Sequence, residues 1–247
     1  MKKKLALILA GTAMAAMVLA GCGEKNNASG EDVKTAESVE DKKTFTVGFD
    51  AEYPPYGYMD ENGEYTGFDL ELAEAVCKLE GWELVKKPLN WDSKDMELNS
   101  GSIDCIWNGF TMNGREDDYT FSTPYVDNSQ VIVVAEKSGI DTLEDLAGKT
   151  VGVQAASAAL DLLKSEEEGG QKKLADTFGA LNEFADYNTA FTELQAGALD
   201  ALAIDVGVAN YQIKSRGEGY KILDETLNTE QYAIGFKKGN QELCDVV

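Results

Sequence analysis

Histidine is absent from the 247 residues, and basic side chains are few: 22 Lys and Arg stand against 44 Asp and Glu. A chain without His lacks the commonest general base and the commonest metal ligand. Its net charge of −22 repels phosphates, which argues against a nucleic-acid partner. Cysteine is sparse too. Four are present, at Cys22, Cys77, Cys105 and Cys244, without the close pairs that zinc sites use, so neither a metal nor another cofactor is expected. Cys77 falls in a helical pattern and Cys105 in a strand pattern; both read as small buried apolar residues, and an oxidising exterior leaves a disulfide between them open. Nor is the apolar stretch from Leu5 to Leu19 long enough for a spanning helix, which needs ~20 residues.

That stretch reads instead as the middle of a leader. Lys2, Lys3 and Lys4 form a positive start, and Leu19-Ala20-Gly21-Cys22 comes after the apolar run. The tetrapeptide resembles the bacterial lipobox, whose Cys takes a diacylglyceryl group while the chain is cut just before it. Residues 1–21 are therefore expected to be a lipoprotein signal peptide and Cys22 the point of lipid attachment, placing the chain outside the cytoplasm on the cell membrane. An ordinary secretory peptide with a chance Cys is the alternative. Residues 22–43 contain almost nothing apolar and read as a flexible tether.

From about Thr44 onward the chain suits two small domains. It also repeats itself. Thr46-Val47-Gly48-Phe49 is echoed by Thr150-Val151-Gly152-Val153, and Glu97-Leu98-Asn99-Ser100-Gly101-Ser102-Ile103-Asp104 by Glu193-Leu194-Gln195-Ala196-Gly197-Ala198-Leu199-Asp200. The longer pattern is a helix, a Gly stop and the start of an apolar strand. Two α/β lobes of one build are predicted, with ligand groups just beyond the carboxyl ends of strands.

Four such places carry chemistry. The loop Asp50-Ala51-Glu52-Tyr53-Pro54-Pro55-Tyr56 is stiffened by proline and offers an aromatic shelf, or else a packed turn. The loop Trp107-Asn108-Gly109-Phe110-Thr111-Met112-Asn113-Gly114-Arg115 offers a guanidinium able to grip a carboxylate, with Thr111 beside it; a solvated surface Arg is the alternative. Ser157 and Ala158 open a helix whose free N–H groups favour an anion, or simply a cap. Asp205 ends a strand, where it can meet an ammonium or cap the next helix. Together Arg115, a helix start and Asp205 describe a zwitterionic α-amino acid.

The stretches Gly48–Tyr56, Thr66-Gly67-Phe68-Asp69-Leu70-Glu71-Leu72-Ala73, Gly109-Phe110-Thr111 with Arg115, Phe121-Ser122-Thr123-Pro124-Tyr125 and Leu146–Gln154 resemble the polar amino-acid-binding proteins of ABC importers, the bacterial extracellular solute-binding proteins of family 3. The resemblance implies a type II periplasmic-binding-protein clam-shell, each lobe a mainly parallel sheet flanked by helices. Lobe I would cover 44–133, lobe II 134–232, and 233–247 would return to lobe I, with hinge crossings near 133–136 and 231–236. It also implies roles. Arg115 clamps the α-carboxylate with Thr111 and N–H groups near Ser157 and Ala158. Asp205 and the Gly109 carbonyl take the α-amino group, Tyr53 covers the side chain, and Asp50 lines the same pocket. Asn108 and Phe110 belong to the same binding loop. The implied partners are a free amino acid of polar, cystine, glutamine or basic type, an importer permease, and the membrane through the anchor; a monomer is expected. An enzyme on the same fold, dehydratase-like or a lyase, and an amino-acid sensor are the rival readings. Three departures from the family pattern stand out: a Thr111–Arg115 loop one residue short, Ala156 in place of Gly, and Ala158 in place of Thr or Ser. The chain also stops about a helix pair early, as a truncated member would.

Overall fold

Two sheets are laid out in the same strand order, and the chain passes between them twice. The computed structural model describes residues 39–217 and 219–247; the expected signal peptide, Cys22 and most of the expected tether lie outside them. The first lobe runs β1 (Thr44–Phe49), β2 (Glu52–Tyr53), β3 (Gly57–Met59), β4 (Tyr65–Thr66), α1 (Phe68–Glu80), β5 (Glu83–Pro88), α2 (Lys94–Asn99), β6 (Cys105–Ile106) and β7 (Tyr119–Phe121). The second runs β8 (Val126–Ala135), β9 (Thr150–Gln154), α3 (Ala158–Lys164), α4 (Lys172–Ala175), β10 (Ala180–Phe184), α5 (Tyr187–Ala196), β11 (Ala201–Asp205), α6 (Val206–Arg216), β12 (Tyr220–Ile222) and β13 (Asn228–Tyr232). The chain then returns to the first sheet as β14 (Gly235–Lys237) and ends in α7 (Gln241–Val246).

The first sheet has the order β5-β1-β6-β14-β7 and the second β10-β9-β11-β8-β12, with β13 also on β8. In each lobe the repeated strand is second from the edge and parallel to both neighbours: β1 to β5 and β6, β9 to β10 and β11. The sheets are more mixed than strand–helix alternation suggests. The crossing strands enter against the grain, β14 antiparallel to β6 and β7, and β8 antiparallel to β11, β12 and β13.

The sequence repeat survives residue by residue. Val47 and Gly48 face Cys105 and Ile106, just as Val151 and Gly152 face Ala201 and Leu202. The Asp104 carboxylate accepts from the Thr46 N–H at 2.7 Å, and Asp200 accepts from Thr150 at 2.8 Å. Gly101 and Gly197 stop the preceding helices at φ 75° and 76°, a region that favours glycine. Gly48 and Gly152 let the following segment close in. A Cβ on either would stand 2.5 Å from a methyl of Ile103 or Leu199, themselves equivalent residues.

Packing explains where the crossings fall. Along β8, Val131 and Val133 join one core cluster and Ile132 and Val134 another, so the strand is buried on both faces as a central strand must be. The lobe boundary expected at 133/134 and the hinge expected near 133–136 are thereby corrected, since those residues are paired inside the second sheet. The chain leaves the first sheet after Phe121, enters the second at Val126, and returns through Ala233 and Ile234, inside the window expected for the second crossing. The tether is also shorter than expected. Val39 packs on the first-lobe core and Lys42 pairs with Asp104 at 2.6 Å, so residues 39–43 are held. Cys77, Cys105 and Cys244 are buried free thiols, so the open Cys77–Cys105 disulfide is not formed.

Because the space beside Gly48 and Gly152 is already filled, a methyl there forces repacking. Gly48→Ala and Gly152→Ala should each lower stability by about 1–3 kcal/mol. Urea denaturation, read as a fall in the midpoint, checks this.

Candidate functional site

The carboxyl ends of β1, β6, β9 and β11 converge where the lobes meet. Seven of the ten expected ligand residues line one cleft there: Tyr53, Gly109, Thr111, Arg115, Ser157, Ala158 and Asp205. Trp91 and Gln154 line it as well. The cleft is drawn nearly shut, with only about 10 Å³ of free space, hardly room for one water.

Arg115 comes from the first lobe. Its guanidinium lies 5.0 Å from the centre of the Phe110 ring and donates to the Asp161 carboxylate on α3 at 2.8 Å. It is therefore no free surface residue: its side chain is mostly buried, whereas that of Asp161 is exposed. Lys94 also reaches across, donating to the Ala156 carbonyl at 3.3 Å. Ala156 is the non-glycine with positive φ among the described residues, at 54°, where an L side chain is strained. The strain explains why the departure from Gly at this place stands out in the sequence.

Asp205 comes from the second lobe and is almost wholly buried. It occupies the cap position of α6, yet its side chain caps nothing. The carboxylate instead accepts from Asn128 and Gln130, both at 2.7 Å, and from the Tyr232 hydroxyl at 2.6 Å. Burial raises its pKa above the ordinary carboxylate value, and the nearby Glu230 raises it further. Glu230, on β13, is itself buried and accepts from Thr111 at 2.7 Å and from the same two amides at 2.8 Å. Of the ion pairs among the described residues, none includes either acid.

The other expected residues divide. Ser157 is a cap: its hydroxyl donates to the Gln154 carbonyl and accepts from the Leu160 N–H, which leaves backbone N–H groups as the donors at the start of α3. Gly109 is held by its N–H, which donates to the buried Asp69 carboxylate at 2.5 Å; Asp69 also accepts from Tyr125 at 2.9 Å and is pushed up to about 7 by burial. Phe110 does not line the cleft. Its ring packs against Trp91, Tyr119 and Phe121 in the first-lobe core. Asn108 is also buried away from the cleft, its side-chain oxygen where a Cβ on Gly57 would stand. Asp50 lines not the cleft but an adjoining groove of about 730 Å³, shared with Glu52, Asp92, Glu97 and Asp186 and bordered by Trp91. Its carboxylate accepts from Gln154 at 2.7 Å, and burial pushes it up to about 6.

Trp91 and Glu230 escape the sequence reading for different reasons. Trp91 lies just beyond the end of β5, so the rule that selected the other loops applies to it too. Glu230 sits within a late strand with no pattern of its own, and its place beside Asp205 comes only from the register of β13 on β8.

The sequence profile of the bacterial extracellular solute-binding proteins, family 3, matches residues 45–247. The chain belongs to that family. It is 30% identical to the L-cystine-binding protein TcyJ of Escherichia coli (strain K12) over 95% of this chain and 85% of that protein. It is 33% identical to the arginine-binding extracellular protein ArtP of Bacillus subtilis (strain 168), over 99% of this chain and 89% of that one. Among solved structures it resembles an ABC uptake transporter substrate-binding protein of Streptococcus pneumoniae with bound histidine, with a TM-score of 0.78 and 34% identity. That match covers 84% of this chain and 85% of the other. Its relatives are of the type II binding-protein fold, as the two lobes and their strand order are here.

The raised carboxyls set a sign for pH dependence. Asp50 near 6, Asp69 near 7 and the raised Asp205 hold protons in the fold where the unfolded chain, with carboxyls near 3.8, has lost them. Their contribution to stability therefore falls as pH rises through that window. The melting temperature should climb as pH is lowered from about 8 to 5; thermal denaturation followed by circular dichroism reads it.

Proposed function

We propose that the protein is the extracytoplasmic substrate-binding component of an ABC amino-acid importer, and that it holds one polar L-amino acid between its lobes. The observation that carries this reading is the pairing of Arg115 and Asp205: opposite charges from separate lobes line one cleft. A free α-amino acid carries the complementary pair on one carbon. Arg115 takes the α-carboxylate with two parallel bonds, aided by Thr111 and the N–H groups of Ser157 and Ala158. Asp205 takes the α-ammonium with the Gly109 carbonyl. Tyr53 covers the side chain, which points past Trp91 toward the groove bordered by Asp50. The relatives named for cystine and arginine, and the one holding histidine, support a polar ligand.

Capture needs no chemistry. The ligand touches both lobes only when they are together, so it favours the closed form by that difference in contact. Entry requires the lobes to part, because the cleft as it stands is too small for an amino acid. The relatives' names describe binding proteins, which supports capture over dehydratase-like or lyase turnover. The leader and Cys22 fit a lipid anchor that keeps the protein beside a permease in the membrane.

Replacing either charge leaves the ligand's opposite group buried and unpaired, a loss of several kcal/mol at a desolvated site. Arg115→Ala and Asp205→Asn should each weaken amino-acid binding at least about 30-fold, or ~2 kcal/mol. Calorimetry across a panel of amino acids tests it; unchanged affinity in both variants would place the pocket elsewhere. In cells, Cys22→Ala should move the protein from the membrane fraction to the soluble one, as fractionation and blotting would show.

A further inference from the structure

Asp205 has a neighbour that the amino-acid reading does not use. Asp205 and Glu230 each place one carboxylate oxygen on the same two nitrogens, Asn128 Nδ2 and Gln130 Nε2, at 2.7 Å for Asp205 and 2.8 Å for Glu230. Two acceptors on one nitrogen lie within a few ångströms of each other. Both acids are buried, at 3% and 5% exposure. The amide carbonyl oxygens of Asn128 and Gln130 are buried too and have no partner, which is the arrangement of amides turned so that every N–H serves the acids.

The surroundings offer no cation. Facing the pair are the phenols of Tyr53 on β2, Tyr56 in the loop after it, Tyr187 on α5 and Tyr232 on β13, each kept neutral by burial. Glu230 also accepts from Thr111 in the first-lobe loop and, at 3.4 Å, from Asn228 on its own strand. Lys94 and Arg115 are engaged elsewhere, with Ala156 and Asp161. Two like charges this close, in a site that water does not screen, do not both ionise readily.

Resting on the amino-acid reading, we infer that Glu230 is the positioning residue of the amine subsite: it shares one proton with Asp205, and an arriving ammonium displaces that proton to solvent. Ammonium bound at Asp205 supplies the positive charge that lets both acids ionise, so one cation enters as one proton leaves. Glu230 touches no ligand in this scheme. It acts through the shared amides on the charge of Asp205, and through Thr111 it ties that charge to the loop of the opposite lobe.

The pair can be watched without any ligand. Carboxyl-carbon NMR of the full chain should show Asp205 titrating above the ordinary carboxylate range. In Glu230→Gln, Asp205 should titrate in a single step at lower pH. Calorimetry then adds ligand, L-arginine and L-glutamine, in two buffers of different ionisation enthalpy. Below the Asp205 midpoint the wild type should release close to one proton per amino acid, and its Kd should weaken about tenfold per pH unit there. In Glu230→Gln the burial of Asp205 remains, so proton release and the slope should persist but set in at lower pH, whereas a merely structural role would weaken binding without moving that onset. An Asp205 titration unmoved in Glu230→Gln, or wild-type binding with no proton release, would overturn the inference; the wild-type arm stands even if the variant does not fold. Failure of every amino acid to bind at pH 8 would instead strike the binding reading, and the ligand-free titration tells the two apart.

Discussion

A carboxylate buried at the end of a sheet, with three donors on one of its oxygens and no ion pair among the described residues, is the constraint on which the rest of this molecule depends. Asp205 has amide and phenol donors from β8 and β13, and these replace part of the hydration it lost. They do not neutralise it, and Glu230 adds a second acid to the same donors. An uncompensated buried charge costs several kcal/mol. A site of this kind gains most from a ligand that brings a cation, and gains little from a neutral one of the same shape.

The two-lobed plan keeps the natural partner away. Arg115 could pair with Asp205 only by crossing the cleft, and instead it meets the exposed Asp161. The separation comes from the duplicated architecture, in which each lobe carries its functional loops at the carboxyl ends of its own parallel strands. Opposite charges thus stand on different bodies, joined by two short crossings at residues 122–125 and 233–234. A molecule carrying both charges satisfies each side at once, and only when the bodies are together.

Much of this is legible in the sequence because repetition is a strong signal. The Gly-stop-strand pattern at Gly101 and Gly197 locates equivalent elements, and equivalent elements locate the loops that hold Arg115 and Asp205. What the sequence hides is what depends on pairing across distance. The run Val131–Val134 looks like a domain edge until its register on β11 makes it a central strand. Asn108 and Phe110 stand in the right loop, but side-chain direction decides burial, and both turn into the first lobe. Asp205 reads equally as a helix cap until its donors are seen. Glu230 is invisible for the same reason: nothing local marks a residue whose role comes from a neighbour on another strand.

The lobes also touch each other directly, and the balance of those contacts bears on how the cleft works. Gln154 to Asp50 and Lys94 to the Ala156 carbonyl are single hydrogen bonds, each worth about 0.5–1.5 kcal/mol net. The Arg115–Asp161 pair, half exposed, is worth about 0–1 kcal/mol. Tyr53 and Tyr56 add apolar contact by packing with Tyr187 and Tyr232 of the opposite lobe. Against these stand the strain at Ala156 and the burial of Asp205 in the cleft and of Asp50 in the adjoining groove. Each of these direct contacts is small beside the cost of leaving a buried charge unpaired. On the proposed reading, a ligand whose two charges meet Arg115 and Asp205 adds contacts across the cleft that neither lobe makes alone, and that difference favours the closed form.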